Sequence, residues 1–380
     1  MKIAIPSEVD AGESRISATP DTVKKLVGLG ASVEVASGAG LRSGITDADY
    51  EAAGAAVVPT NADALREAAI VLKVRRPGPE ELRDYAPDAI VIAIMDPYGH
   101  QEALGALAAA RVSAFAMELM PRITRAQVMD VLSSQANLAG YRAVIDAAAE
   151  FSRAFPMMMT AAGTVPAAKV FVMGAGVAGL QAIATARRLG AVVTATDVRP
   201  AAKEQVSSLG AKFVAVEDEE FKQAETAAGY AKPMSAEYQQ KQAALVADHI
   251  RKQDIVITTA LIPGRPAPRL VSAAMVESMR PGSILVDLAV ERGGNVEGAR
   301  PGEVVTTANG VRIVGHLNVA GRLAASASTL YARNLLAFVE TLIDAKTRTL
   351  APNWDDELVK ATLLTRHGAV VHPNFQPQMD

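Results

Sequence analysis

The sequence predicts an α/β fold with mostly parallel sheets, and three observations support this. Short β-like runs alternate with helical patterns over the N-terminal third of the chain. A second series of strand-like runs begins at Lys169, and a long helical stretch lies between the two series. Half of the 380 residues are apolar and 21% are charged, a balance that permits a sizeable core. The length favours two or three domains, since one domain usually has ~150 residues.

The first series predicts a parallel sheet covered by helices. Thr19 and Pro20 have the form of an N-cap followed by proline at the first helical position, which predicts a helix ending at Gly28 or Gly30. Strands are predicted in the runs KIAIP, SVEVAS, AIVLKVR, AIVIAIM and SAFAMEL. Helical patterns such as HQEALGALAAARV separate these runs, and such alternation is typical of a sheet with helices on both faces.

The second series predicts another sheet with long helices before and after it. A helical stretch from Thr124 to about Phe151 is long enough to connect two domains, and another after about Leu323 is expected to return the chain to the first domain. Strands are predicted in the runs KVFVM, AVVTATD, AKFVAV, DIVITTA, SILVDLAV and VRIVGH. Two segments are predicted as loops: FPMMMTAAGTVPAA and the polar insertion EDEEFKQAETAAGYAKPMSAEYQQKQ.

The strongest candidate site is the run Gly174-Ala175-Gly176-Val177-Ala178-Gly179. It follows a hydrophobic strand, begins a helix and leads into a second strand that ends at Asp197. The first glycine permits a tight turn, the second lets backbone amides approach a pyrophosphate, and the third lets helix and strand pack closely. The helix N-terminus adds free N–H groups and a favourable dipole. The run therefore predicts a dinucleotide site, with a glycine turn that binds no ligand as the alternative.

Two residues bear on which dinucleotide binds. Asp197 has the position of an acid that accepts a hydrogen bond from the ribose 2′-hydroxyl, and its charge would repel a 2′-phosphate. NAD(H) is therefore favoured over NADP(H). Arg199 leaves the alternative open, because a nearby arginine can accommodate that phosphate.

Polar side chains recur at helical spacing early in the first long helical stretch. They would share one face of a helix: Gln127, Asp130, Ser133 and Asn137. Thr124 and Gln127 match a capping box, and Asp130 with Ser133 matches a solvated stripe. Periodicity alone therefore favours a structural role for these residues.

Composition excludes several classes of protein. The chain has no cysteine, which excludes disulfides, thiolate catalysis and zinc–thiolate clusters. Its net charge of -3 includes no basic block, which argues against nucleic-acid binding. No apolar run approaches the roughly 18 residues of a membrane span, and the N-terminus lacks a secretory signal, so we expect a cytoplasmic protein. The five histidines form no metal-ligand pair, and each is expected to be structural or exposed.

Several runs closely resemble the NAD(H)-binding subunit of proton-translocating nicotinamide nucleotide transhydrogenases. They are RITRAQVMDVLSSQANLAGYRAVIDAA, FPMMMTAAGTVPAAKVFVMGAGVAGLQAIATARRLGA, TATDVR and TTALIPGRPAP, and the similarity extends from KIAIP to TRHGAVVHP. The resemblance implies two Rossmann-like, doubly wound parallel-sheet domains joined by long helices. It places the first domain at 1–125 plus 325–380 and the NAD(H)-binding domain, with the linking helix, at 126–324.

The resemblance also implies an activity and partners. NADH bound here would pass a hydride to NADP⁺ on a separate NADP(H)-binding subunit, and a membrane-spanning subunit would couple this transfer to proton translocation. The chain would form a homodimer. It would lie at the inner face of the membrane through its partner subunits, without inserting into the bilayer.

The resemblance further implies roles for individual residues. The nicotinamide end of NAD(H) would be held by Arg122, Gln127, Asp130 and Ser133, and Tyr230 lies in a segment that matches the family's mobile loop over the nucleotide. Cofactor binding is assigned to Arg125, Gly174, Ala175, Gly176, Val177, Gly179, Asp197, Val198, Arg199, Gly229, Gln242 and Leu261. Transfer between two nicotinamides needs positioning but no proton donor, which suits amide, hydroxyl and carboxylate groups without a histidine.

Two other functions stay open. Alanine dehydrogenases share the fold and the GESR element, so Arg15 and Lys73 could instead hold the carboxylate of an amino or keto acid. Those enzymes place a catalytic histidine just after the strand AIVIAIM, where this chain has Met95 and Asp96, and His100 follows several residues later. The third possibility is a non-catalytic module that responds to NAD(H).

Overall fold

The protein is described by a computed structural model that covers residues 1–224, 234–262 and 264–376. Its strands in chain order are β1 (Lys2–Ile5), β2 (Ser32–Ala36), β3 (Ala56–Val58), β4 (Ile70–Arg75), β5 (Ile90–Ile94), β6 (Ser113–Ala116), β7 (Met158–Thr160), β8 (Gly163–Val165), β9 (Lys169–Met173), β10 (Val192–Thr196), β11 (Lys212–Phe213), β12 (Ile255–Thr258), β13 (Ile284–Asp287), β14 (Val304–Thr306), β15 (Arg312–Val314), β16 (Ile343–Asp344), β17 (Thr349–Leu350), β18 (Leu363–Arg366) and β19 (Ala369–Val370).

Its α-helices are α1 (Pro20–Gly28), α2 (Asp47–Ala52), α3 (Asn61–Leu65), α4 (Gln101–Ala109), α5 (Val131–Glu150), α6 (Val177–Arg188), α7 (Ala202–Ser208), α8 (Glu219–Lys222), α9 (Ala236–Ile250), α10 (Ala273–Ser278), α11 (Ala324–Leu342) and α12 (Glu357–Thr362). Helix α1 begins at Pro20, as predicted, and the N–H of Thr19 donates to Thr22 Oγ1 at 2.9 Å. Among the described helices, none combines the length and the hydropathy needed to cross a bilayer.

The chain divides into two compact units. The first unit comprises Met1–Gln135 with Gly321–Asp380, and the second comprises Ala136–Ala320. The domain boundaries expected from the sequence, after residues 125 and 324, stay a prediction, because compactness alone does not show that a part folds independently.

The first unit is built on a sheet of order β19-β18-β6-β5-β4-β1-β2-β3. Strands β1 to β6 run parallel, and the chain works outwards from β1 first to β3 and then from β4 to β6. The two strands from the C-terminal part of the chain join the β6 edge in antiparallel orientation. Apolar side chains of β1, β4 and β5 are buried on both faces, as expected for a sheet covered by helices.

The second unit repeats this topology. Its sheet has the order β11-β10-β9-β12-β13-β15-β14, parallel except for β14 at the edge. The strand order reverses between β9 and β12, which is the switch point where doubly wound sheets bind ligands outside the carboxyl ends of the strands. The predicted class, α/β with two Rossmann-like doubly wound parallel sheets, is therefore confirmed.

The first long helical stretch is not one helix, and this prediction was wrong. A 3-10 helix covers Thr124–Met129, its N-cap Ile123 makes no side-chain capping bond, and the predicted capping box of Thr124 with Gln127 does not form. The backbone then turns at Asp130, where ψ is 90°, and α5 starts at Val131. The break arises because Asp130 accepts hydrogen bonds from the backbone N–H of Ser133, as a helix N-cap does.

Both segments predicted as loops contain regular structure. The segment after Phe155 forms the antiparallel hairpin β7–β8, because Thr160 and Gly163 permit a tight turn between two short strands. The polar insertion contributes α8 and the start of α9, whose N-caps Asp218 and Ser235 accept hydrogen bonds from backbone N–H groups. Residues 225–233 of the insertion lie outside the described residues.

A glycine lets α5 pack closely on α6 within the second unit. A Cβ atom on Gly140 would lie 2.0 Å from the carbonyl oxygen of Ala178, in the first turn of α6. Asn137, one turn earlier, donates to Gln181 Oε1 at 3.3 Å. The approach of these helices therefore depends on a missing side chain, and it supports the N-terminal end of α6.

We predict that Gly140→Ala destabilises the protein by about 1–3 kcal/mol, because the added methyl group forces backbone to move. The matched control is Gly105→Ala in α4, where a Cβ meets no described atom within 4 Å. This control should gain ~0.5–1 kcal/mol through the better helix propensity of alanine. Urea unfolding followed by circular dichroism measures both, and equal shifts of the two midpoints would contradict the packing argument.

Candidate functional site

The glycine run forms the turn between β9 and α6. Gly174 has φ +104°, a conformation that L side chains rarely adopt, and its N–H donates to the carbonyl oxygen of Thr196 at 2.9 Å. A Cβ on Gly179 would lie 1.8 Å from the carbonyl oxygen of Gly174. The first and third glycines therefore make the tight turn and the close contact of helix with strand that this motif requires.

The second glycine leaves the helix N-terminus open. A Cβ on Gly176 would meet none of the described atoms within 4 Å, and no described side chain caps α6 at this residue. Ala175 is buried, whereas Val177 is partly exposed at the first helical position. Uncapped N–H groups at the start of a twelve-residue helix, with space in front of them, fit the pyrophosphate of a dinucleotide.

Asp197 is tied directly to the glycine turn. Its Oδ2 accepts the N–H of Ala175 at 2.7 Å, while Oδ1 accepts the backbone N–H and Nε of Arg199, both at 2.9 Å. Only 7% of the Asp197 side chain is exposed, and the next residue, Val198, is largely exposed. The acid at the end of β10 and the turn after β9 are thus one connected structure, with Arg199 paired to the acid.

Gln242 and Leu261 lie on neighbouring parts of the second unit. Gln242, on α9, accepts the N–H of Val216 at 2.9 Å and donates to Thr196 Oγ1 at 3.2 Å, so its amide holds the end of β10. Leu261 follows β12 and has 53% of its surface exposed. Tyr230 and Gly229 lie outside the described residues.

Sequence reasoning missed a side chain that builds the glycine turn. Thr259 comes directly after β12, and its Oγ1 donates to the carbonyl oxygen of Gly174 at 3.1 Å. A Cβ on Gly174 would lie 2.5 Å from this oxygen, so the turn and the threonine fit each other closely. The signal was its place at the end of the strand that pairs with β9, which no single-sequence motif marks.

The residues assigned to the nicotinamide end surround the start of α5. Asp130 Oδ1 accepts the N–H of Ser133 at 2.9 Å and Oδ2 accepts its hydroxyl at 2.5 Å. Gln127 is exposed on the preceding 3-10 helix, and its side-chain amide makes no hydrogen bond to any described residue. Arg122 is exposed one turn before. The structure therefore groups the carboxylate and hydroxyl and leaves the amide of Gln127 available.

Arg125 is engaged by a different segment of the first unit. Its two Nη atoms donate to the two carboxylate oxygens of Asp356, each at 2.8 Å. This hydrogen bonding lowers the pKa of Asp356, which is also the N-cap of α12. Arg125 thus connects the 3-10 helix with α12, and its guanidinium is used in a bidentate ion pair.

The cations considered for a carboxylate substrate are buried and paired. Arg15 donates to both carboxylate oxygens of Glu13 at 2.7 Å, and Lys73 donates to Glu81 at 2.6 Å with Glu8 3.5 Å away. Burial would raise the pKa of Glu13, but the hydrogen bonds and charge of Arg15 outweigh it and lower the pKa to about 2. These groups form an internal ion network at the carboxyl ends of β1 and β4.

The segment after β5 carries no proton donor at the position of the dehydrogenase histidine. Met95 is fully buried, and its N–H donates to Glu118 at 3.1 Å. Asp96 takes φ +47°, and its carbonyl oxygen accepts hydrogen bonds from Arg76 and lies 2.8 Å from His100 Nδ1. The described residues also contain no cluster of three or more His, Asp or Glu side chains able to hold a metal.

Comparison with known proteins covers the whole chain. The family profile described as Alanine dehydrogenase/PNT, N-terminal domain, matches residues 4–139, and its C-terminal counterpart matches residues 143–373. The chain is 56% identical to an NAD(P) transhydrogenase subunit alpha chain of Rhodospirillum rubrum, over 100% of both chains. It is 31% identical to the alanine dehydrogenase of Mycobacterium tuberculosis, over 79% of this chain and 76% of that one.

The fold agrees with these matches. A crystal structure of transhydrogenase from Sinorhizobium meliloti is 65% identical and superimposes with a TM-score of 0.90, covering 98% of this chain and 100% of that one. Identity at this level over full length extends the likeness from the fold to the subfamily. The chain therefore belongs to the alanine dehydrogenase/PNT family and, within it, to the alpha subunits of NAD(P) transhydrogenase.

Proposed function

We propose that this chain is the NAD(H)-binding catalytic subunit of a proton-translocating transhydrogenase. NADH bound here passes a hydride to NADP⁺ bound on a separate subunit, and a membrane-spanning subunit couples the transfer to proton movement. The observation that carries the proposal is the glycine turn with Asp197 hydrogen-bonded to it, in a chain whose full-length relatives are transhydrogenase alpha subunits.

The residues around the turn suit a dinucleotide without a 2′-phosphate. The N–H groups at the start of α6 would hold the pyrophosphate, and Asp197 would accept a ribose hydroxyl in exchange for some of its pairing with Arg199. A 2′-phosphate would meet the Asp197 carboxylate at close range. Because Arg199 already neutralises this carboxylate, it is not a free phosphate-binding cation, and we therefore assign NAD(H) to this subunit.

The nicotinamide end is assigned to side chains that position a ring. We assign Gln127, Asp130 and Ser133 to it, with Arg122 and Tyr230 from the family resemblance. When bound, the cofactor supplies the hydride itself, so these side chains need only orient the ring and keep it in place. The unpartnered amide of Gln127 can bind a carboxamide, and the Asp130–Ser133 pair is held rigid by the helix cap.

The partners follow from the same assignment. A relative named as an alpha subunit belongs to an assembly that has other subunits. On the strength of the family resemblance, we assign the membrane-spanning and NADP(H)-binding functions to those other subunits. The chain would then lie at the cytoplasmic face of the membrane, held there by its partners.

We also propose a homodimer that forms through the β7–β8 hairpin. The hairpin stands apart from both large sheets, and its methionines are exposed: Met157 by 62%, Met158 by 44% and Met159 by 78%. Three adjacent exposed methionines form an apolar surface that a second copy would cover.

Hydride transfer is tested by mixing the protein with the NADP(H)-binding component of a related transhydrogenase. NADH, an NAD⁺ analogue and catalytic NADP(H) are added, and reduction of the analogue is followed. Gln127→Ala and Asp130→Asn should each lower turnover at least tenfold, on the order of one lost positioning hydrogen bond in the transition state, with a smaller change in NADH affinity. Asparagine can still cap α5, so folding should be retained.

Parallel reactions with alanine, and with pyruvate plus ammonia, serve as controls for this assay. Turnover that needs the added component supports the proposal, whereas oxidation of alanine by the chain alone would make it a dehydrogenase. Unchanged turnover in both variants would remove the assignment of Gln127 and Asp130.

The role of Asp197 is tested by NADH binding. Asp197→Asn keeps an acceptor for the N–H of Ala175 but loses the charge, so the dissociation constant for NADH should rise about 10–100-fold. Asp248→Asn is the control, because Asp248 is an exposed carboxylate on α9 paired with Arg251 and Lys252. Isothermal titration calorimetry measures both, and equal affinities of the two variants would exclude a ribose contact.

The dimer is tested by analytical ultracentrifugation. Met158→Asp combined with Met159→Asp should shift the protein from dimer to monomer, because charges would have to be buried in the interface. Leu41→Asp, at an exposed apolar side chain of the first unit, should leave the sedimentation coefficient unchanged. A dimer that survives the double substitution would place the interface elsewhere.

A further inference from the structure

A fully buried asparagine holds the segment that follows β12. Asn295 Oδ1 accepts the N–H of Ala260 at 3.1 Å, and its Nδ2 donates to the carbonyl oxygens of Ala260 at 2.9 Å and Pro268 at 2.8 Å. Its own carbonyl oxygen accepts the N–H groups of Leu270 and Val271. One residue thus fixes a stretch of backbone that is 25 to 35 positions away in the sequence.

The segment that Asn295 holds begins at the dinucleotide turn. The N–H of Thr259 donates to the carbonyl oxygen of Met173 at 2.9 Å, and its hydroxyl donates to that of Gly174. Ala260 is the next residue, and it is the one that Asn295 binds at both its N–H and its carbonyl. The direction in which the chain leaves the switch point between β9 and β12 is therefore set by the amide of Asn295.

Two apolar side chains project from this fixed segment. Leu261 is 53% exposed and Ile262 is 46% exposed, directly after the doubly bound Ala260. Adjacent large apolar side chains that are half exposed at a switch point suit contact with a bound ligand better than contact with water. A dinucleotide presents flat ring faces of the right character.

Asn295 itself is rigidly supported. Asp287, at the end of β13, accepts the N–H of Ala289 and of Val296, each at 2.9 Å. A Cβ on Gly294 would lie 2.8 Å from Asp287 Oδ2, so the turn before Asn295 is closely packed against this carboxylate. The carboxylate holds the turn, the turn holds Asn295, and Asn295 holds the segment with Leu261.

The chemistry of the contact requires an amide. The carbonyl oxygens of Ala260 and Pro268 need a donor, and the N–H of Ala260 needs an acceptor, all in a site that excludes water. An aspartate would place its charge against two carbonyl oxygens, and an apolar residue would leave three backbone groups without partners.

We propose that Asn295 is a positioning residue of the NAD(H) site, which acts by holding Leu261 and Ile262 as an apolar wall against the bound dinucleotide. This inference rests on the proposed NAD(H) binding by the second unit. It goes beyond that function by naming the residue that shapes the wall, although the residue itself has no atom at the surface of the site.

The test measures NADH affinity in the full-length protein. Asn295→Ala should raise the dissociation constant on the order of tenfold. Asn309→Ala is the matched control, because Asn309 likewise donates to backbone carbonyl oxygens, those of Val276 and Glu277, but at the amino end of β15. It should leave NADH affinity unchanged while it costs a similar loss of thermal stability.

A second set of variants separates positioning from general destabilisation. The substitution of Leu261 and Ile262 together by alanine should weaken NADH binding without loss of thermal stability, since both side chains are half exposed. Asn295→Ala added to this pair should then have little further effect, because the wall it positions is gone. Multiplying effects would instead mean that Asn295 acts only through stability.

The outcomes distinguish the two proposals. If the unmodified protein does not bind NADH, the proposed function fails. If the unmodified protein binds NADH and Asn295→Ala binds it equally well, only the positioning role is overturned.

Discussion

The contact between Gly179 and the carbonyl oxygen of Gly174 is the constraint on which the second unit depends. With only 1.8 Å available where a Cβ would stand, the first turn of α6 lies against the end of β9. Three other elements then attach to the same turn: β10 through Asp197, β12 through Thr259, and α5 through Gly140. The absence of side chains at a few glycines thus brings four elements together, and the open flank at Gly176 remains as the place for a ligand.

The two units show that one topology can carry different chemistry at its strand ends. Both have a central pair of strands from which the chain winds outwards in both directions. In the second unit the loop at this place exposes backbone N–H groups. In the first unit the same place is filled by paired charges, among them Glu13 with Arg15 and Lys73 with Glu81. The fold therefore does not determine the site, and the side chains at the carboxyl ends of the strands do.

Local patterns predicted what depends on neighbouring residues. Strands with apolar runs, the start of α1 at Pro20 and the glycine turn all follow from periodicity, capping and backbone freedom within a few positions. Asp130 was placed inside a helix because its spacing fits one, and its competing role as a cap depends on one side-chain hydrogen bond. Asn295 had no local signal, because its partners Ala260 and Pro268 are remote in sequence. Arg125 was assigned to the cofactor because Asp356, its partner, is equally remote.

The pairing of β18 with β6 has a consequence for synthesis on the ribosome. Ala114 and Thr365, which meet in this pair, are 251 positions apart, and the whole second unit lies between them. At about 5–20 residues per second, the free edge of β6 waits roughly 10–50 seconds for its neighbour. The inner unit can be complete before the outer one is, so the nascent chain carries an unprotected strand edge that invites wrong pairing or a chaperone. The order of maturation is therefore from the middle of the gene product outwards, and the final step is the arrival of the C-terminal strands.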